Sequence, residues 1–285
     1  MNQLQTGATH AAEPQEDSYG TRKRMAFIEE TIRAGNPSGI LDVGCGVGLV
    51  SLELAARFPD LRIIAIDDDR ATIEYARSRN PHGKLKFQIN HELDVGQHFD
   101  LVIASEVLEH VDDPEKFLEW IRERLSERGR VVLTVPNGYG PFELMSCAQG
   151  VLQCLGIYAV LRALRRRFRR APAVEASTPV TLAASPHVNF FSCRALRRLF
   201  RRSGFEVVRF RSRTFLCGFL LDRFIHTRRL IAWNAAVADK LPAAFSSDWM
   251  FLLHRSTADK AVAPVKRGWY GRFHRYINRR CFEQG

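Results

Sequence analysis

Apolar residues in this chain come alternately as short continuous runs and as helical stripes. GILDVG (39–44), LRIIAID (61–67), LKFQI (85–89), FDLVIAS (99–105) and RVVLTV (130–135) are runs of strand length. The fourth is almost uniformly apolar, as a parallel strand covered on both faces must be. Helical spacing fills the intervals. It is seen over 18–35, where Met25, Ile28 and Ile32 share a face, then over 49–58, and over 70–79 up to the breaker Pro81. A further helix over 114–125 opens on Pro114, which suits a first turn, and stops before Gly129. This alternation predicts an α/β fold with a doubly wound, mostly parallel sheet. The pattern breaks over 138–186, an insertion with an apolar part at 142–164, the run LRRRFRR (164–170) and a Pro/Ala/Ser/Thr stretch. It resumes with a helix at 192–203, a strand at 205–210, a helical segment at 216–240 and a last strand, WMFLLH (249–254). Residues 1–17 read as a disordered tail, 18–255 as one domain carrying the insertion as a lid, and 256–285 as a basic, aromatic tail.

The motif with most chemical content is LDVGCGVG (41–48), which follows a strand and opens a helix. Glycines there let a ligand approach the backbone, and the helix start offers free N–H groups. A dinucleotide fingerprint requires G-x-G-x-x-G. Here the glycines stand at 44, 46 and 48, followed by Leu49, and Asp42 lies just before the turn. A carboxylate so close would repel a pyrophosphate and suit an ammonium. Asp67 ends the next strand, where a carboxylate accepts bonds from both ribose hydroxyls. An amino-acid cation joined to an adenosine is S-adenosylmethionine.

With ILDVGCGVG, IIAIDDD and FDLVIASEVLEHVDDPEKFLEWIRERLSERGRVVLTVPN in place, the chain resembles the class I S-adenosylmethionine-dependent methyltransferases. The last block is similar to their small-molecule group, which includes the ubiquinone-pathway O-methyltransferases. The resemblance implies a Rossmann-like sheet of seven strands in the order 3-2-1-4-5-7-6, the last antiparallel. It also implies that Gly44, Gly46 and Gly48 line the cofactor, that Asp42 holds its ammonium through water, that Asp67 binds the ribose and that Asp68 lies beside the adenine. The family acid that bonds the adenine amino group is replaced by Asn90-His91-Glu92, where Asn90 offers an equivalent acceptor.

Ser105 and the following Glu106-Val-Leu-Glu109-His110 sit just past the fourth strand, where such sheets hold ligands. The segment is not the N/D-P-P-Y loop of nitrogen methyltransferases, so the family reading leans to oxygen or carbon. Glu106, Glu109 and His110 have the spacing of one helical turn, and His187 in SPHVNFFS is a fourth candidate. Two readings stand. In one, the four hold a divalent cation such as Mg2+, as matching residues do in the small-RNA terminal 2′-O-methyltransferases, which this motif resembles. In the other, His110 is a metal-free general base assisted by Glu106. Cys45, inside the loop, reads as packing.

Charge adds a partition. The formal net charge is +11, but residues 1–140 carry −7 and residues 141–285 carry +18. A basic segment calls for an anionic partner. The apolar-then-arginine stretch 142–170 suits an anionic membrane surface and a small or lipid-like acceptor. The alternative is a lid packing on its own domain. Nucleic acid is disfavoured because no RNA-binding module is recognisable, although Arg194, Arg197, Arg198, Arg201 and Arg202 form a stripe. An RNA 2′-O-methyltransferase and a non-catalytic cofactor-binding or membrane-docking protein are the competing functions. The six cysteines include no C-x-x-C pair, and no run of 18 clean apolar residues occurs. A cytoplasmic location follows, peripheral on the inner membrane face if 142–170 meets lipid. No oligomeric state is legible in the pattern.

Overall fold

The computed structural model describes residues 19–94, 96–140, 187–215 and 228–256, with Phe273 and Tyr276. The tail 1–17, the insertion beyond residue 140, with the stretch 142–170 expected to meet a membrane, and nearly all of 256–285 lie outside the described residues. In chain order the elements are α1 (Tyr19–Gly35), β1 (Gly39–Val43), α2 (Leu49–Arg57), β2 (Arg62–Asp67), α3 (Arg70–Ser78), β3 (Leu85–Ile89), β4 (Phe99–Ser105), α4 (Pro114–Glu123), β5 (Leu125–Pro136), α5 (Cys193–Arg202), β6 (Phe205–Ser212), α6 (Arg228–Lys240) and β7 (Asp248–Arg255). The strands form one sheet in the order β3-β2-β1-β4-β5-β7-β6, the order that the family resemblance implies. The first five are mutually parallel. β7 runs antiparallel between β5 and β6, which brings the end of β6 to the same sheet edge as the ends of β4 and β5.

Both faces are covered. On one, Phe27, Ile28 and Ile32 of α1, Leu54 of α2 and Ile73 of α3 pack on Ile40, Ile63, Ala65 and Ile103. On the other, Leu118 and Ile121 of α4 and Leu196 and Phe200 of α5 pack on Leu41, Val102, Leu133 and Phe251. This two-sided burial explains the apolar runs. Asp69 caps α3 by accepting from Ala71 and Thr72, and Asp113 caps α4, whose first residue is Pro114. Among the described residues no helix is long and apolar enough to cross a membrane.

Several boundaries differ from the expectation. α4 ends at Glu123 and β5 begins at Leu125, because Leu125 pairs with Phe99 before the register shifts. Gly129 therefore sits within a strand, not behind a helix. A Cβ there would stand 2.9 Å from Leu125 and 3.0 Å from two carbonyl oxygens, so only glycine fits. β6 runs on to Ser212 because β7 begins early enough to pair with it. Of the helical segment expected over 216–240, the part described is α6.

The charge partition also changes meaning here. Arg209 and Arg211 of β6 pair with Glu30 of α1, and Arg202 pairs with Glu115 of α4. Part of the positive half thus meets the acidic half inside the protein. Phe200 is fully buried, edge-on to Phe251 at 5.1 Å, and joins α5 to the sheet. Phe200→Ala is expected to lower stability by about 3–5 kcal/mol, read as a lower denaturation midpoint in urea.

Candidate active site

β1 delivers Asp42 and then the glycine turn to the carboxyl edge of the sheet. Gly44, Gly46 and Gly48 all take positive φ, at 66°, 54° and 81°. Two of them are also required by packing. A Cβ on Gly44 would lie 2.6 Å from Val107, and one on Gly48 would lie 2.5 Å from the Phe87 ring. Gly46 differs: a Cβ there meets nothing within 4 Å, so this position opens on free space at the sheet edge. The turn is held from outside. Cys45 N–H donates to the Ile66 carbonyl at 3.0 Å, and Gly46 N–H donates to Asp67 Oδ2 at 2.9 Å. The other Asp67 oxygen accepts from Asp69 N–H at 3.0 Å. Asp67 therefore braces the loop, and a ribose would meet a carboxylate that already accepts two backbone bonds. Asp68 is exposed beside it, while Asp69 serves α3.

Asp42 is buried and accepts a short hydrogen bond from the Ser51 hydroxyl. Burial pushes its carboxyl up from the ordinary 3.8 to about 6, against the Ser51 bond and the nearby Arg24 charge. Burial also drives the Cys45 thiol far up, with Asp42 and Asp67 adding to the effect, so Cys45 has no thiolate to act as a nucleophile.

After β3, Asn90 opens a short 3-10 turn, Asn90–Glu92. Glu92 is engaged locally, accepting from Ile89 N–H at 3.0 Å and from Arg77 at 2.6 Å. Asn90 Oδ1 is buried with no hydrogen-bond partner among the described residues. A buried amide oxygen in that condition fits a ligand N–H donor. Of the three residues expected beside the adenine, Asn90 is the one with an unengaged buried acceptor among the described residues.

β4 ends at Ser105, whose hydroxyl bonds Thr134 at 2.9 Å and accepts from Arg24 at 3.1 Å. The next residues do not form the single helical face that their spacing suggests. Glu106 takes φ 58°, a left-handed conformation, and is not in the group of possible metal ligands that Glu109 and His110 form with His187. Glu106 Oε1 accepts from Thr134 Oγ1 at 2.8 Å and from Arg213 at 3.2 Å. Burial alone would raise its carboxyl, but Arg213, Arg24 and the Thr134 bond outweigh it and hold it below the usual range. Glu109, His110 and His187 do converge. One ligand atom from each lies within 4.8 Å of the others, and the two imidazoles stand edge to face at 4.9 Å. Three of the four expected cation ligands are together, and Glu106 is held apart by its own partners.

Sequence reading missed four residues that build this site. Arg24 reaches from α1 to Ser105. Its position four residues before Ile28 places a charge on the apolar face of an amphipathic helix, which is a legible signal. Asn189 is buried and donates to the carbonyls of Leu108 and Val111, while the backbone N–H groups of Val188 and Asn189 donate to Glu109 O, each at 2.9 Å. These bonds clamp the 108–111 turn against His187. Arg213 and Asp248 form the third element, with Arg213 Nη2 2.9 Å from Asp248 Oδ1. Nothing local marks either one, since Arg213 lies among other arginines and Asp248 starts an apolar strand.

Fold and site together define a protein of the S-adenosylmethionine-dependent methyltransferase class. A family model described as a methyltransferase domain matches residues 18–209, and the chain belongs to that family. A ubiquinone biosynthesis O-methyltransferase of Schizosaccharomyces pombe is 38% identical over 122 residues, covering 39% of this chain and 43% of that enzyme. A malonyl-[acyl-carrier protein] O-methyltransferase of Acetivibrio thermocellus is 41% identical over 76 residues, covering 26% of this chain and 27% of that enzyme. The match thus spans less than half the length of either relative. Among solved structures, the plantazolicin methyltransferase BpumL shares the fold at TM-score 0.50 and 13% identity, over 84% of this chain and 85% of that one.

The raised Asp42 carboxyl sets a pH dependence. An ammonium prefers the ionised acid, so S-adenosylmethionine should bind tightest above pH 6 and weaken by about tenfold per pH unit below it. The sign for stability is opposite. The folded state holds this proton more tightly than the unfolded state, so the free protein should lose stability as pH rises from about 4 to 6. Calorimetric titration across pH 5–8, with Asp42→Asn flattening the profile, checks the binding side.

Proposed function

We propose that the protein transfers the methyl group of S-adenosylmethionine to an oxygen of a small or lipid-like acceptor. The observation that carries this reading is the glycine turn opening at Gly46, flanked by buried Asp42 and by Asp67. The turn suits a cofactor with a cationic amino-acid end, and the free acceptor on Asn90 suits its adenine amino group. The relatives named above, both O-methyltransferases by name, support oxygen as the nucleophile. The insertion 138–186 would select the acceptor, and its stretch 142–170 would meet an anionic membrane surface.

The cofactor carries its own leaving group, so the chain's work is alignment and proton removal. Asp42 orients the methionine end beside the open turn at Gly46. Ser105, bound by Arg24 and Thr134, closes the floor beneath the transfer line. Glu109, His110 and His187 would serve the acceptor, and Asn189 holds the 108–111 turn in place. These three residues would hold a divalent cation, which lowers the pKa of a bound acceptor hydroxyl. Two imidazoles and one carboxylate suit Mn2+ or Co2+ better than the Mg2+ first expected, because Mg2+ prefers all-oxygen coordination.

Two measurements test this reading. Calorimetry with S-adenosylmethionine and with NAD should give binding to the first alone, and tight NAD binding would overturn the cofactor assignment. Methyl transfer to catechol-type or prenylated phenol acceptors should fall at least a hundredfold in chelator and return with Mn2+. Turnover unaffected by chelator would leave His110 as a metal-free general base. The RNA alternative is judged in the same assay with a short RNA as acceptor. For the membrane contact, the full chain should sediment with phosphatidylglycerol vesicles, and Arg165–Arg167 changed to Ser should release it. Equal sedimentation of that variant, or none by the parent, would remove the membrane from the proposal.

A further inference from the structure

The residue that keeps Glu106 out of the cation cluster is Arg213, which neither the motif nor the proposed chemistry has used. Arg213 follows the end of β6 and is anchored by its own N–H to Asp248 O at 3.0 Å. One side of its guanidinium reaches Asp248 Oδ1 at 2.9 Å and the other reaches Glu106 Oε1 at 3.2 Å. Thr214 Oγ1 donates to the second Asp248 oxygen at 2.8 Å, and Thr134 Oγ1 donates to Glu106. The side chains are mostly shielded, at 17% exposure for Arg213, 22% for Glu106 and 5% for Asp248. A shielded arginine between two carboxylates, with both acids hydrogen-bonded again behind it, is a rigid fork. Glu106 is three residues from Glu109, and His187 lies near enough to act on its charge.

We propose that Arg213 is a positioning residue that sets the cation preference of the site. It retains Glu106 and so limits the protein ligands to Glu109, His110 and His187. This inference rests on the metal reading above. A guanidinium and a divalent ion compete for the same carboxylate. While Arg213 holds Glu106, the ion meets two nitrogens and one carboxylate, a set for borderline cations. Once Glu106 is released, the site gains a second carboxylate and a negative charge. Every divalent ion then binds more tightly, and the oxygen-seeking Mg2+ gains most.

The test follows Mn2+ binding to the full chain by the electron paramagnetic resonance of free Mn2+, with Mg2+ as competitor. Arg213→Gln alone would leave Asp248 buried beside an uncharged group and risks misfolding, so it is paired with Asp248→Asn. Circular dichroism and S-adenosylmethionine affinity check that the fold is kept. The paired variant should bind Mn2+ about tenfold more tightly than the parent, and Mg2+ should displace Mn2+ at a lower ratio. Arg213→Lys, which keeps the charge, should remain near the parent. Adding Glu106→Gln should abolish the gain, because the gain is that carboxylate. If the parent binds Mn2+ and the paired variant binds it equally, the inference fails while the metal reading stands. A gain that survives Glu106→Gln also defeats it. Binding that appears only when Arg213 is neutralised overturns both readings, because the inference requires an ion held by the three native ligands. If neither protein binds Mn2+, both readings fall.

Discussion

Parallel strands buried on both faces leave one place for polar chemistry, the edge where their carboxyl ends emerge. That constraint organises the whole protein. β1 brings Asp42 and the glycine turn to the edge, β2 brings Asp67, β3 brings Asn90, and β4 brings Ser105 and Glu106. The antiparallel insertion of β7 turns β6 so that Arg213 also emerges there, with Asp248 at the start of β7 beside it. Covered faces make the central strands apolar, so the polar groups of this site gather at the rim.

At the rim, the polar groups support one another more than they face solvent. Asp67 holds the backbone of Gly46, and Arg24 holds Ser105. Arg213 holds Glu106, and Asn189 holds the turn that presents Glu109 and His110. Each is a bond between segments far apart in the chain. The glycine turn and the Glu109, His110 and His187 cluster are therefore each held by bonds from distant segments. Pre-set geometry of this kind is what a transfer dependent on alignment requires.

The negative front and positive back of the chain acquire a second meaning in three dimensions. The sequence invites an external anion for the basic half. In the fold, Arg202, Arg209, Arg211 and Arg213 pair with Glu115, Glu30 and Glu106 of the acidic half. Those pairs join β6 and α5 to the cofactor-binding part of the sheet. The exposed arginines of α5 remain a positive surface among the described residues.

Alternating apolar runs, the glycine spacing and the flanking aspartates are local facts, and local facts survive in the sequence. They were enough for the fold class and the glycine turn, and the family resemblance supplied the strand order. Helical spacing over Glu106, Glu109 and His110 was also local, and there it misled. Glu106 sits in a left-handed turn, and its carboxylate is engaged by Thr134 and Arg213, which lie 28 and 107 residues away. The gathering of His187 with His110, the clamp of Asn189 and the fork of Arg213 between two acids are likewise products of the sheet order. Periodicity records which face of an element is buried. It does not record which distant side chain arrives at the rim, and at this site that arrival decides what each acid does.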